Sequence, residues 1–153
     1  MPEIWFYHLQ TQTLERALPL LLERALARDW RVVVQVSGEE RLQTLDDLLW
    51  SYAPDAFLPH GSARDGDPEG HLIWLTTGDD DPIEAHVRVC ADGVGAGPAA
   101  RSGRPYERVI LMFDGADEAA LAAARAEWKT LKAEGAALSY WQQTDTGGWE
   151  KKA

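Results

Sequence analysis

The side chains that could do chemistry in this chain fall into a few small groups. The most informative is cationic: Arg125, Lys129 and Lys132, spaced i, i+4 and i+7 on an Ala-rich segment. At about 100° per residue these three share one helix face. Ala120, Leu121, Ala124, Trp128 and Leu131 share the adjoining face, with Trp128 at the border. A row of guanidinium and ammonium groups beside an aromatic ring can pair with carboxylates while the ring accepts an apolar side chain. The plain alternative is that cations in the last turns of a helix answer its macrodipole and stay solvated.

The other groups offer less. His8, His60, His71 and His86 show no His-x-x-x-His or His-x-Glu spacing, so no metal site is expected. Cys90 is the single cysteine; it allows no intramolecular disulfide, and its apolar neighbours mark it as a small buried hydrophobe. A nucleophile dyad would need it beside His60 or His86, and nothing in the sequence recommends that. Gly93-Val94-Gly95-Ala96-Gly97-Pro98 resembles a dinucleotide fingerprint, but Pro98 stands where the third glycine belongs, and no helix is expected behind it. Asp79-Asp80-Asp81 before Pro82 reads as an exposed turn more readily than as a cation site. The expectation is a protein without a catalytic set, metal or cofactor.

These groups must be held by regular elements. Ile4–Leu9 and Arg31–Val36 read as strands, and residues 11–28 as a Leu-rich helix in which Pro19 marks either a kink or the start of the regular part. Ser37 and Glu40 form a capping-box pattern for a helix to about Tyr52, with Leu42, Leu45, Leu48, Leu49 and Trp50 as its apolar stripe. Further strands are expected over 72–75, 85–91, 106–113 and 138–142. The cationic segment is the helix 117–134, closed by Gly135. Polar, Gly-rich loops fill 62–70, 78–82 and 92–104. Strand and helix alternation predicts one α/β domain over 1–153, Rossmann-like and three-layered, with a mostly parallel or mixed central sheet and no phosphate-binding loop. Residues 146–153 read as a C-terminal tail.

Composition restricts partners. The chain has 153 residues, of which 45% are hydrophobic and 26% charged, enough for a core in a single domain. Mean hydropathy of -0.33 and scattered charges leave no membrane-spanning run. The opening Met1-Pro2-Glu3-Ile4-Trp5 has no signal-peptide character, so the cytoplasm is the expected location. Net charge is -10, and residues 1–100, with 7 basic and 17 acidic side chains, carry all of it. Residues 101–153 hold 8 of each. Direct nucleic-acid binding is therefore not expected, and the C-terminal third is the place for an anionic partner. Seven tryptophans are present; Trp5, Trp74 and Trp141 are expected in the core. Trp149 either docks onto the body or waits for a partner, with docking favoured.

The ordered set of motifs resembles the chi subunit family of bacterial DNA polymerase III. It comprises Phe6-Tyr7-x-Leu9, Arg31-Val32-Val33-Val34, Leu45-Asp46-x-x-Leu49-Trp50 and Phe57-Leu58-Pro59-His60-Gly61. Tyr106-Glu107-Arg108-Val109, Phe113-Asp114-Gly115 and Ala124-Arg125-x-x-Trp128-Lys129 complete it. The resemblance implies a non-catalytic accessory subunit of the replicative polymerase. It also implies docking of the acidic, Phe-terminated C-terminal tail of single-stranded DNA-binding protein, and a psi subunit or other clamp-loader partner on another surface. The tail site carries over to Arg125, Trp128, Lys129 and Lys132, with an apolar pocket expected beside Trp128. Trp128 stands where many relatives have Tyr. Phe57, Pro59, His60 and Trp149 are candidates for a second partner surface. The rival reading is a small α/β enzyme acting on a nucleotide or phosphorylated substrate.

Overall fold

The structure, a computed structural model, describes residues 2–51, 60–62, 68, 71–146 and 148–153, excluding the side chain of Trp50. Among them are strands β1 (Glu3–Leu9), β2 (Val32–Gln35), β3 (His60–Ser62), β4 (Ile73–Thr76), β5 (Val87–Cys90), β6 (Arg108–Asp114), β7 (Leu138–Gln143) and β8 (Trp149–Lys151). The helices are α1 (Leu14–Ala27), α2 (Glu39–Ser51), α3 (Gly97–Ala100) and α4 (Glu118–Ala133). One sheet runs in the order β3-β4-β2-β5-β6-β1-β7-β8. Every pairing is parallel except β7 with β8. This is the expected α/β architecture, a mostly parallel sheet between helical layers.

β1 explains how two faces are built at once. It pairs with β6 on one side and β7 on the other, so its N–H and C=O groups are satisfied in both directions. Successive side chains of a strand point to opposite faces. Ile4 and Phe6 enter the core that includes Ala124 and Leu131 of α4, whereas Trp5, Tyr7 and Leu9 meet the core formed with α1 and α2. The same alternation sends Val109, Leu111 and Phe113 of β6 toward α4, and Ile110 and Met112 toward α1. Such near-continuous apolar strands are what a sheet covered on both faces requires.

The helix ends follow local chemistry. Asp117 caps α4 by accepting from the N–H groups of Ala119 and Ala120 at 3.0 and 3.2 Å. Gly135, at φ +82°, closes it: the N–H of Ala136 donates to Leu131 O and that of Gly135 to Lys132 O. α1 continues through the buried Pro19.

Several expectations change. Trp149–Lys151, within the expected tail, are not free, because they form β8 on the sheet and Trp149 stacks on Tyr7 at 4.7 Å. Trp5 and Trp141 are half-buried rather than core; they stack on each other at 5.0 Å near the sheet edge. A short helix, α3, does open behind the Gly-rich loop. The Asp79–Asp81 turn is exposed at Asp79 and Asp80, as expected, and it also serves the core, since the carbonyls of Gly78 and Asp80 accept from Arg88, whose side chain is buried.

Candidate functional site

α4 presents its residues as the helical projection requires. Ala124 and Leu131 are buried, Ala120, Leu121 and Trp128 are half-buried, and Arg125, Lys129 and Lys132 are exposed. Among the described residues none of these three cations forms an ion pair. In a chain of net charge -10, an unpaired cationic row is a local inversion of the overall field.

Trp128 is held by rings that the helical pattern alone does not connect to it. Its indole meets Phe6 edge-on at 5.2 Å and Tyr140 edge-on at 5.7 Å. Phe6 in turn stacks on Tyr140 at 6.3 Å. Each such pair contributes about 0.5–1.5 kcal/mol beyond the area it buries. His8 continues the cluster, with Nδ1 2.8 Å from the Tyr140 hydroxyl and its ring 5.2 Å from Phe113. The guanidinium of Arg125 is close enough to act on both polar members. Burial lowers the His8 pKa from its ordinary value, and Arg125 lowers it further against the pull of Asp114. Burial raises the Tyr140 phenol, and Arg125 partly opposes this.

Gly115 exists for His8. A Cβ there would lie 1.8 Å from His8 Nε2 and 2.9 Å from the carbonyl oxygen of Leu9, which accepts the Gly115 N–H at 2.8 Å. His8 and Tyr140 were missed as site residues, although a signal was present. Phe6, His8 and Tyr140 fall on the α4 face once the period of two is carried through β1 and β7. The Trp128 indole is half-buried, so an incoming ring would meet its exposed part.

The crevice at the carboxyl ends of β1 and β6 is where a doubly wound sheet usually binds phosphates. Here it is a cleft of about 900 Å³ lined by Glu15, Asp92, Asp114, Asp117 and Glu127, with Arg41 as its single cation. Arg41 is already paired with Glu15 at 2.5 Å and Asp92 at 2.9 Å. At the start of α3, the Glu127 carboxylate accepts from Ala96 N–H at 2.6 Å and Gly97 N–H at 3.2 Å. It stands where a phosphate would. A Cβ at Gly95 would lie 2.5 Å from Glu127 Oε2, so this glycine makes room for a carboxylate of the chain itself.

The remaining candidates are placed as follows. Burial pushes the Cys90 thiol up to about 12, which keeps it protonated and inert. His86 is committed elsewhere, with Nδ1 accepting the N–H of Arg31 at 2.9 Å. His60 is 4% exposed, with Nε2 3.0 Å from Asp46 Oδ1, so its imidazole offers little surface to a partner. Trp149 is half-buried against Tyr7. Phe57 and Pro59 lie outside the described residues. Among the described residues no cluster of His, Cys, Asp and Glu is arranged to hold a metal, and no helix is long and apolar enough to cross a membrane.

Comparison with known proteins gives two matches. A family model described as DNA polymerase III chi subunit, HolC, matches residues 1–139. A protein of Rickettsia prowazekii (strain Madrid E), named "Probable DNA polymerase III subunit chi", is 27% identical over 89 residues. Those residues are 58% of this chain and 54% of that relative, so the match spans about half the relative's length.

Proposed function

This chain belongs to the DNA polymerase III chi subunit family, and from that premise we propose that it is a non-catalytic accessory subunit in DNA replication. Its role is to dock the acidic, Phe-terminated C-terminal tail of single-stranded DNA-binding protein onto α4. Arg125, Lys129 and Lys132 pair with the tail's aspartates and terminal carboxylate, and the terminal Phe packs on the Trp128 ring beside Tyr140. On another surface the chain joins a psi subunit or other clamp-loader component, so that DNA is reached through the protein that coats it.

The observation that carries this reading is the exposed row of three unpaired cations beside a half-buried indole, in a chain of net charge -10. A short peptide makes few contacts, so the affinity is about micromolar and weakens with salt. The rival enzyme reading meets opposition in the crevice, where five carboxylates, the Glu127 plug among them, repel a phosphate. Fluorescence anisotropy of a labelled acidic peptide ending in Phe, titrated with wild type and Arg125→Ala, tests the proposal. Saturable binding lost in the variant supports it, and absence of binding by folded wild type refutes it.

A further inference from the structure

On the sheet face opposite α4, a groove of about 490 Å³ lies between α1 and strands β1, β6 and β8. Its charge is the reverse of the crevice's. Arg24, Arg28 and Arg108 line it and no carboxylate does. Among the described residues none of the three guanidinium groups forms an ion pair. Its walls are aromatic and aliphatic, with Trp5, Trp30, Leu20 and Leu21 among them. Leu20 is 47% exposed, one of only two large hydrophobic side chains so exposed among the described residues.

Two of the cations are held by the rings. Arg108 lies 3.6 Å over Trp5 and 5.2 Å from the Trp30 ring, and Arg28 lies 3.9 Å over Trp30. With Trp141 stacked on Trp5, this makes a ladder of three indoles and two guanidiniums. Arg108 Nε and Trp5 Nε1 are buried without a hydrogen-bond acceptor. Burial lowers the Arg108 pKa from its ordinary value, and Arg28 nearby adds to that; Tyr7 and Glu3 oppose it. Like charges gathered on an apolar floor, with donors left over, call for an anion that also brings an apolar body.

We propose that this groove is a second docking site, which takes an acidic peptide segment: one large apolar side chain seats between α1 and the Trp5–Trp30 wall, and flanking carboxylates pair with Arg24, Arg28 and Arg108. The volume suits one or two large side chains rather than an extended strand of bases. Single-stranded nucleic acid fits less well, because arginines already cover the faces of Trp5 and Trp30 on which bases would stack. A continuing phosphate backbone would also run onto the acidic body of residues 1–100. The site is independent of the α4 ridge, and the two faces can be occupied together.

The probe is a peptide acetylated and amidated at its ends, with a Phe-Leu pair flanked by two Asp on each side. Nitrogen-15 NMR of the indole N–H groups follows it in wild type, in the double variant Arg24→Ala, Arg28→Ala, and in Arg125→Ala. Arg24 and Arg28 are both exposed, so the double variant should fold, and circular dichroism checks this. The expected result is saturable shifts of the Trp5, Trp30 and Trp149 signals. Affinity should fall about tenfold in the double variant and stay within about twofold in Arg125→Ala. The proposal is overturned if no saturable shift occurs by about 1 mM peptide, or if the double variant binds as wild type does. Shifts produced by an oligothymidylate and not by the peptide would also overturn it, and would assign the groove to nucleic acid.

Discussion

Replacing Arg88 by Met should be among the most costly single changes in this chain. Arg88 is 2% exposed and sits in β5. Nε and Nη2 donate to Gln35 Oε1 at 3.2 and 2.7 Å, and Nη2 also donates to Gly78 O at 2.7 Å. Nη1 donates to Asp80 O at 3.0 Å and to the Tyr106 hydroxyl at 3.3 Å. Methionine keeps the apolar stem but strands Gln35 and two turn carbonyls. A buried group left without its partner costs about 1–3 kcal/mol, and water at the turn will relieve part of this. The expected loss is about 3–5 kcal/mol, read from urea unfolding followed by Trp fluorescence. Asp80→Asn is the control. Arg88 is held by the Asp80 carbonyl rather than its carboxylate, so this variant should lose less than about 1.5 kcal/mol. A cost below about 1 kcal/mol for Arg88→Met, or an equal cost for both variants, would refute the view that Arg88 is held by the carbonyls of the acidic turn.

Three further outcomes follow from the site. Gly115→Ala should displace the His8 ring and break its contact with Tyr140, costing about 1–3 kcal/mol in urea unfolding and shifting the His8 imidazole resonances. Because folding lowers the His8 pKa, the unfolded chain binds more protons below about pH 6.5. The His8 contribution to stability is therefore full above that pH and falls as acid approaches the lower folded value. His8→Gln should flatten that part of the profile of urea midpoint against pH, and an unchanged slope would contradict the assignment. Glu127→Ala should free the amides of Ala96 and Gly97 and cost about 1–3 kcal/mol. Calorimetry of this variant with ATP should show no binding, since four carboxylates still line the cleft.

The sequence was legible where one element suffices. The cationic row of α4 needs only a helix, and its limits, Asp117 and Gly135, are written in cap chemistry. The main parallel strands declared themselves by short apolar, aromatic or β-branched runs. β3, α3 and β8 did not, because three or four residues are too few for a period to show. β8 forms on the open edge of β7, and its Trp-Glu-Lys carries no β-branched residue. Trp5 and Trp141 read as core from their strands, yet their place near the sheet edge leaves them half-buried. The ring cluster of Phe6, His8 and Tyr140 around Trp128 joins segments more than 100 residues apart, and only the sheet order brings them together.

The central claim is that α4 receives an acidic tail through its cations. The most direct measurement is the anisotropy titration of a Phe-terminated acidic peptide at low and high salt, with wild type and Arg125→Ala compared under each condition. The predicted result is saturable binding at about micromolar concentration, weakened by salt and lost in a variant that remains folded. Binding that ignores both salt and Arg125, or no binding by the folded protein, would contradict it.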